Sequence, residues 1–418
     1  MECSIFDASE RTFKDTTKYP NGAIQGAIDA ASAAGGGTVY IPADTHDFST
    51  TLVIDHAPDN KYAPVKPLVI QGAGTNATVL RRRPGPPYFD LLHIRRSFVT
   101  VRDLAFKGNA PIAAMDGIRI GNDALEPGEP VGFRDVRNVI LRNVIVQDVY
   151  GYALRIVGAR PSTVVPPVVK DCAFVDCNFA QNGFNASGVI RVDPACFNLD
   201  FQRCVVDFYY GKALELIGCE GVTLDGFGID SAQNNGTPPY IYANEAINCR
   251  LLNGWIEEPT DATGTPRWFV QLDGLCHGWI IDSTVFNRQV GTVPKAILIG
   301  NASQACRGVI IVNPLIRTSA GLPTSHHIEV VNSASDVQVI GGIATGGAGP
   351  NPPFTEIQVY SDPGAPARTM IHNDQRFRVG SVDGALPTGY LRSGDVIVDG
   401  GALKMWNGSA WKRVLTEA

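Results

Sequence analysis

Three arginines stand at the centres of three similar short segments: Arg119 in DGIRIGN (116–122), Arg155 in YALRIVG (152–158) and Arg191 in GVIRVD (188–193). A guanidinium is a planar, permanently charged fork that matches a carboxylate or sulfate through two parallel hydrogen bonds. Arginines brought close together repel unless anions intervene. Either nearby carboxylates such as Asp116, Asp148 or Glu215 neutralise them, or an anionic or heavily hydroxylated polymer lies across them. The second arrangement makes the arginines a rail for a chain-like ligand.

The elements that carry these arginines recur. In each segment the residues flanking the arginine are apolar, as expected of a strand with one buried face. The same pattern continues in KALELIG (212–218), YIYAN (240–244), WFVQLD (268–273), KAILIGN (295–301) and HHIEVVN (326–332). The central positions are then Arg119, Arg155, Arg191, Glu215, Tyr242, Gln271, Leu298 and Glu329, separated by 36, 36, 24, 27, 29, 27 and 31 residues. Of the sixteen flanking positions fifteen are large aliphatics, and the exception is Ala243. Between these strands lies a second type of segment, such as NVILRNVIVQD (138–148), FNLDFQRCVVDF (197–208) and GVTLDGFGID (221–230). A unit of two strands cannot bury its inner face alone, whereas parallel stacking of such units can. The predicted fold is all-β: a parallel β-helix, or β-solenoid, over residues 1–375.

NGAIQGAIDAASAAGGGTVYIPA (21–43) places Ile24, Ala27, Ile28 and Ala31 at helical spacing before three glycines, so a capping helix is predicted over the open end of the solenoid. Residues 376–418, with hairpin signals at Gly400-Gly401 and Asn407-Gly408, are predicted to form a small C-terminal β appendage. That appendage either closes the solenoid or supports self-association; a second sugar-binding patch using Trp406 and Trp411 is the alternative.

Stacking fixes where chemistry belongs. With coils about 4.8 Å apart, the central positions form one outward stripe. Glu215 is the only carboxylate in its middle, and Asp193 lies one rung below and two residues along. The backbone separation is then roughly 8 Å, compatible with the roughly 6.5–9.5 Å between the carboxyls of an inverting glycosidase. Arg191 beside Glu215 favours the ionised form, which suits a base. Asp193, or a turn carboxylate such as Asp207, Asp230 or Glu257, is the expected acid. Elimination on a uronate chain is the competing chemistry: Arg155 or Arg191 would neutralise the carboxylate, and Lys212, Tyr209 or Tyr210 would take the proton. A third reading is a non-catalytic glycan-gripping module. Expected substrate contacts are Arg119, Arg155, Tyr209, Tyr210, Tyr242, Asn244, Trp268, Gln271 and Asp273.

Composition narrows the field. The chain has 418 residues, a formal net charge of −6, 18% charged residues, 44 glycines and 28 prolines. The negative balance argues against a nucleic-acid partner, and the lack of a long apolar run argues against a membrane span. Residues 1–20 lack the apolar core of a secretion signal. The expected site of action is extracellular or on a virion, with removal of a leader and a cytoplasmic location left open. Nine cysteines without CxxC pairs read as buried thiols, with Cys196, Cys219, Cys276 and Cys306 in one internal ladder, so neither metal nor cofactor is expected. His326-His327 reads as surface.

The helix–GGG–TVYIPA segment followed by GVTLDGFGI-like strands resembles the pectate-lyase-like right-handed parallel β-helix superfamily, over roughly residues 15–375. That group includes polygalacturonase-like and rhamnogalacturonase-like hydrolases, pectate-lyase-type enzymes, uronan epimerases and phage tailspike depolymerases. The resemblance implies a right-handed coil, activity on a polysaccharide or oligosaccharide and, for tailspike-like members, a homotrimer. Asp116 matches the aspartate of the hydrolases' NTD motif in part, with Met115 in place of the threonine. Their paired aspartates have no counterpart in YALRI, GVIRV or KALEL. Motifs of the calcium-dependent lyases and the alginate epimerases are also absent.

Overall fold

The computed structural model describes residues 5–7, 22–55, 66–83, 89–109, 115–122, 135–158, 168–180, 182, 188–230, 239–258, 268–288, 295–300, 306–318, 327–331, 334–346, 354–357, 359–361, 370–372, 396–399, 402–406 and 411–413. His326, and most of the polar segments at 182–187, 230–239 and 257–267, lie outside them, as do the side chains of Trp406 and Trp411.

Strands dominate, and they stack in parallel. An 11-stranded sheet is built from successive coils, among them Leu92–Ile94, Ile118–Gly121, Leu154–Val157, Ile190–Val192, Leu214–Ile217, Ile241–Asn244, Trp268–Asp273, Lys295–Ile299 and Ile328–Val330. The remaining coil strands form a 24-stranded sheet, which includes one antiparallel pair, Ile343–Gly346 with Phe354–Glu356. One coil runs Leu214–Ile217, Glu220–Asp225, Gly228–Ile229 and then Ile241–Asn244. The second segment type is therefore bent into two strands, giving three strands per coil instead of two. All sixteen flanking residues, from Ile118 to Val330, are buried. Burying one such side chain contributes roughly 1.5–3 kcal/mol, so this repeated pair anchors each coil.

The bends have a physical cause that periodicity does not reveal. Two positions per coil adopt left-handed backbone and stack in register. One column runs through Asn138, Asp171, Asn198, Gly221 and Asn248; the other runs through Asn143, Asp176, Arg203, Gly226 and Asn253. Glycine, asparagine and aspartate tolerate that conformation best. Their side chains also bond between coils: Asn198 Nδ2 donates to Asp171 Oδ1 at 3.1 Å, and Asn253 Nδ2 to Asp225 Oδ1 at 2.9 Å.

Helix Gly22–Ala33 caps the first coils, burying Ile24, Ala27, Ile28 and Ala31 as their spacing predicts. Gln25 covers the strand edge: its Oε1 accepts the Val53 N–H at 2.8 Å and its Nε2 donates to the Val53 carbonyl at 2.9 Å. Gly36 follows the helix at φ +147°, where a Cβ would lie 2.6 Å from the Pro67 carbonyl oxygen, so no larger residue fits. Near the C-terminus, Val396–Asp399, Ala402–Trp406 and Trp411–Arg413 form a three-stranded antiparallel sheet. No helix among the described residues is long and apolar enough to cross a membrane.

The eight described cysteines are free and buried. The register aligns Cys196 with Cys219, and Cys276 with Cys306, as the ladder predicts. His327 is buried rather than on the surface. It sits at the start of a coil strand, where its carbonyl accepts the Ala296 N–H.

Candidate functional site

The stripe predicted from spacing is the register of the 11-stranded sheet. Arg119 pairs with Arg155, Arg155 with Arg191, Arg191 with Glu215, Glu215 with Tyr242, Tyr242 with Gln271, Gln271 with Leu298 and Leu298 with Glu329. His93 extends the stripe one rung below Arg119. Asn244 and Asp273 pair on the adjacent outward column.

Carboxylates alternate with the cations along this face. Arg119 lies 3.9 Å from Asp90, and Arg155 lies 3.6 Å from Asp116. Arg155 Nε also donates to Asp193 Oδ2 at 3.0 Å. Arg191 Nε donates to Asp193 Oδ1 at 2.6 Å, and its Nη1 donates to Glu215 Oε2 at 3.1 Å. Lys212 closes the series with its ammonium on Glu215 Oε1. Like-charge repulsion along the arginines is thus relieved within the protein. Asp148 has no part in this and pairs with Lys107 at 3.2 Å.

The two signs differ in depth. Side-chain exposure is 32% for Arg155, 26% for Arg191 and 25% for Lys212, against 12% for Asp116, 9% for Asp193 and 6% for Glu215. The anions lie beneath and orient the cations, whose tips meet solvent. A ligand on this face encounters prepositioned donors.

Tyr152 joins the group although sequence reasoning passed over it. Its hydroxyl donates to Glu215 Oε2 at 3.0 Å and accepts from Arg191 Nη1 at 3.4 Å. The Arg191 guanidinium lies 5.8 Å from its ring centroid. Its backbone N–H donates to Asp116 Oδ1 at 3.0 Å, so one residue touches both Asp116 and Glu215. A glycine makes this reach feasible. Two residues before each inward aliphatic, consecutive coils carry Asp116, Tyr152, Gly188, Lys212, Pro239 and Trp268. A Cβ at Gly188 would stand 3.3 Å from Tyr152 Cε1. Reading that column, and not only the central one, would have exposed the tyrosine.

Several expected roles change. Tyr209 faces the interior, fully buried, with its ring 6.2 Å from that of Tyr240, so it cannot touch a ligand outside the coil. Asp193 has both oxygens engaged by guanidinium donors, an arrangement for a fixed carboxylate and not for a proton donor. Lys212 is not poised as a base, because its ammonium donates to Glu215 and lies 4.7 Å from the Tyr242 ring centroid. Asp230 stands on the other sheet beyond Gly228–Ile229. Its electrostatic neighbours there are Asp207 and Glu257, whose carboxyl pKa values are pushed up by burial and then by Asp230. Tyr210, Trp268, Gln271 and Asn244 are partly exposed along the stripe or its margin.

Electrostatics singles out Asp116. Burial, followed by the neighbouring Asp90 carboxylate, raises its pKa above the ordinary aspartate value despite Arg155 and Arg119. Burial also raises Asp273, and it pushes the Tyr242 phenol, next to Asp273, up to about 12. Tyr152 is likewise raised by burial. Among the described residues, no group of three or more His, Cys, Asp or Glu side chains could hold a metal ion.

No family model matches the sequence, and a search of curated proteins finds no match. Solved structures do match. DFA-IIIase from Arthrobacter chlorophenolicus A6 in complex with GF2 superposes with a TM-score of 0.61 at 11% identity, covering 88% of this chain and 95% of that one. The Azotobacter vinelandii mannuronan C-5 epimerase AlgE6 A-module gives 0.52 at 16% identity, covering 88% and 97%. The fold is a parallel β-helix, the architecture these two structures share with this chain. Identities this low establish architecture, and the reaction has to be argued from the side chains.

Proposed function

We propose that the protein is a carbohydrate-active enzyme that binds an acidic polysaccharide or oligosaccharide along the stripe and hydrolyses a glycosidic bond with paired carboxylates. The supporting observation is that neighbouring carboxylates are spaced by single guanidiniums. Arg155 contacts Asp116 and Asp193 through different nitrogens. Two carboxylates held this way lie roughly 6–8 Å apart, close to the roughly 6.5–9.5 Å of inverting glycosidases.

The roles follow from environment. Asp116, whose raised pKa favours retention of a proton, suits the general acid. Asp193, oriented by Arg155 and Arg191, suits the carboxylate that activates water. Glu215, gripped by Arg191, Lys212 and Tyr152, fixes the position of Arg191. Arg119 and Arg155 face anionic substituents, while Tyr242, Trp268, Asn244, Gln271 and Asp273 contact sugar rings and hydroxyls.

Elimination has less support, because of the expected bases only Tyr210 stays partly exposed, in the turn before Leu214–Ile217. Lys212 donates to Glu215, Tyr209 is interior, and Tyr152 and Tyr242 are both shifted upward. The test is incubation with a panel of acidic and neutral polysaccharides, reading new reducing ends and ultraviolet absorbance together. Reducing ends without an unsaturated product, lost in Asp116→Asn and Asp193→Asn, are expected. An ultraviolet-absorbing product, or full activity in both variants, refutes the reading.

A further inference from the structure

We infer that Asp90, just before Leu92–Ile94, is a positioning residue that seats the general acid Asp116 and keeps its proton in place. This role deepens the hydrolase reading above and rests on it. A glycosidase acid must hold a proton at a pH where its partner carboxylate is ionised, and Asp193 is held as an anion by two guanidiniums. Asp90 widens the pH window in which both conditions are met.

The two aspartates occupy like positions on neighbouring coils. His93 is in register with Arg119, so Asp90 and Asp116, each three residues earlier, lie one rung of about 4.8 Å apart. The Asp116 N–H donates to Asp90 Oδ1 at 2.9 Å, and the Leu91 N–H returns to the Asp116 and Gly117 carbonyls at 3.2 and 3.0 Å. Asp90 thus pins the backbone that carries the acid. The Asp116 carboxyl is seated from the other side as well. Its Oδ1 accepts the Tyr152 N–H at 3.0 Å, and a Cβ at Gly151 would stand 2.7 Å from that oxygen. With Oδ1 engaged by a donor, the acidic proton belongs on Oδ2.

Two carboxyls stacked this closely resist ionising together, and the more deeply buried one retains the proton. Side-chain exposure is 12% for Asp116 against 24% for Asp90, so Asp116 is that member. The other charged and titratable neighbours pull both ways. Arg155 on the next coil and Arg119 in the same coil favour an anionic Asp116, Tyr152 lies above it, and Asp193 stands beyond Arg155. Asp90 is itself faced by Arg119 at 3.9 Å and by His93, which favour its ionised form. The balance agrees with the geometry: burial and then Asp90 raise the Asp116 pKa in spite of both arginines.

The experiment is a double-mutant cycle of Asp90→Asn and Asp116→Asn in the full chain. It is read as Tm against pH, and as the pH–rate profile on whichever polysaccharide of the panel is cut. Asp90→Asn keeps an oxygen for the Asp116 N–H and removes the charge. The fall in stability with rising pH that belongs to Asp116 should become smaller and end at lower pH, and the changes made by the two single variants should not add in the double variant. The decline in rate with rising pH should begin at lower pH in Asp90→Asn, and Asp90→Ala, which also removes the hydrogen bond, should lower the rate at every pH besides. Additive changes in the Tm profiles overturn the pairing. A rate lowered equally at every pH in Asp90→Asn, with the decline unmoved, makes Asp90 merely structural and overturns it too. A coupled cycle without cleavage of any polymer overturns the hydrolase reading and keeps the pairing.

Discussion

The Tyr152 hydroxyl donates to Glu215 at 3.0 Å across 63 residues of sequence and past the intervening coil of Gly188. The contact ties the Asp116 end of the site to the Glu215 end, because the same tyrosine donates its backbone N–H to Asp116. The glycine between them leaves the ring room, since a Cβ there would crowd it at 3.3 Å.

Tyr152→Phe keeps the ring under Arg191 and removes one hydrogen bond to a buried carboxylate. A loss of about 1–2 kcal/mol in denaturant unfolding is expected, since bonds to charged groups contribute roughly 1.5–3 kcal/mol. Gly188→Val should do more harm than Tyr152→Phe, because it pushes on the ring and strains a backbone at φ +143°. If Gly188→Val unfolds at the wild-type denaturant concentration, the slot is not needed.

Asp116 predicts a pH dependence with a definite sign. Its folded pKa lies above the ordinary aspartate value of 3.8, so the native state keeps a proton that the unfolded chain releases. Stability therefore falls as pH rises from near 3.8 through the raised folded value, and is level beyond it. Asp116→Asn should remove this fall from a plot of Tm against pH while abolishing hydrolysis. The wild-type rate should also decline as pH rises through the same pKa, since the acid then loses its proton.

Glu215→Gln leaves Arg191 and Lys212 without their shared anion. Removing one partner of a buried ion pair costs roughly 3–5 kcal/mol. About 1–3 kcal/mol is expected here, because both cations are a quarter exposed. Adding Lys212→Met to Glu215→Gln should recover part of that loss. A double variant as unstable as the sum of the two single variants would show that Lys212 and Glu215 are not coupled.

Tyr209→Ala should behave as a core truncation, costing about 3–5 kcal/mol. Tyr242→Ala should be far milder in stability and should weaken glycan retention. Unfolding curves and gel retardation on the two variants check the contrast; the reverse pattern would mean that Tyr209 faces outward.

Much of this architecture is legible in the chain. The alternation around Arg119, Arg155, Arg191 and Glu215 reports one buried face at period two, and a stacked coil is the arrangement that buries it repeatedly. The column of central residues then follows from counting, because parallel strands in register place like positions side by side. The capping helix follows from the spacing of Ile24, Ala27, Ile28 and Ala31.

What only the tertiary structure decided is depth and direction away from the strand centres. Tyr209 and Tyr210 are adjacent and chemically alike, yet the first is interior because the turn before Leu214–Ile217 folds it under the next coil. The carboxylates are more deeply buried than the guanidiniums they hold because their shorter side chains stay nearer the sheet, a depth that the sequence pattern does not report. Tyr152 finds Glu215 because two coils bring them within hydrogen-bond distance over an empty position. Strand periodicity is a local property fixed by residues two apart, whereas pairing between coils depends on side-chain lengths and gaps contributed by segments far apart in the chain.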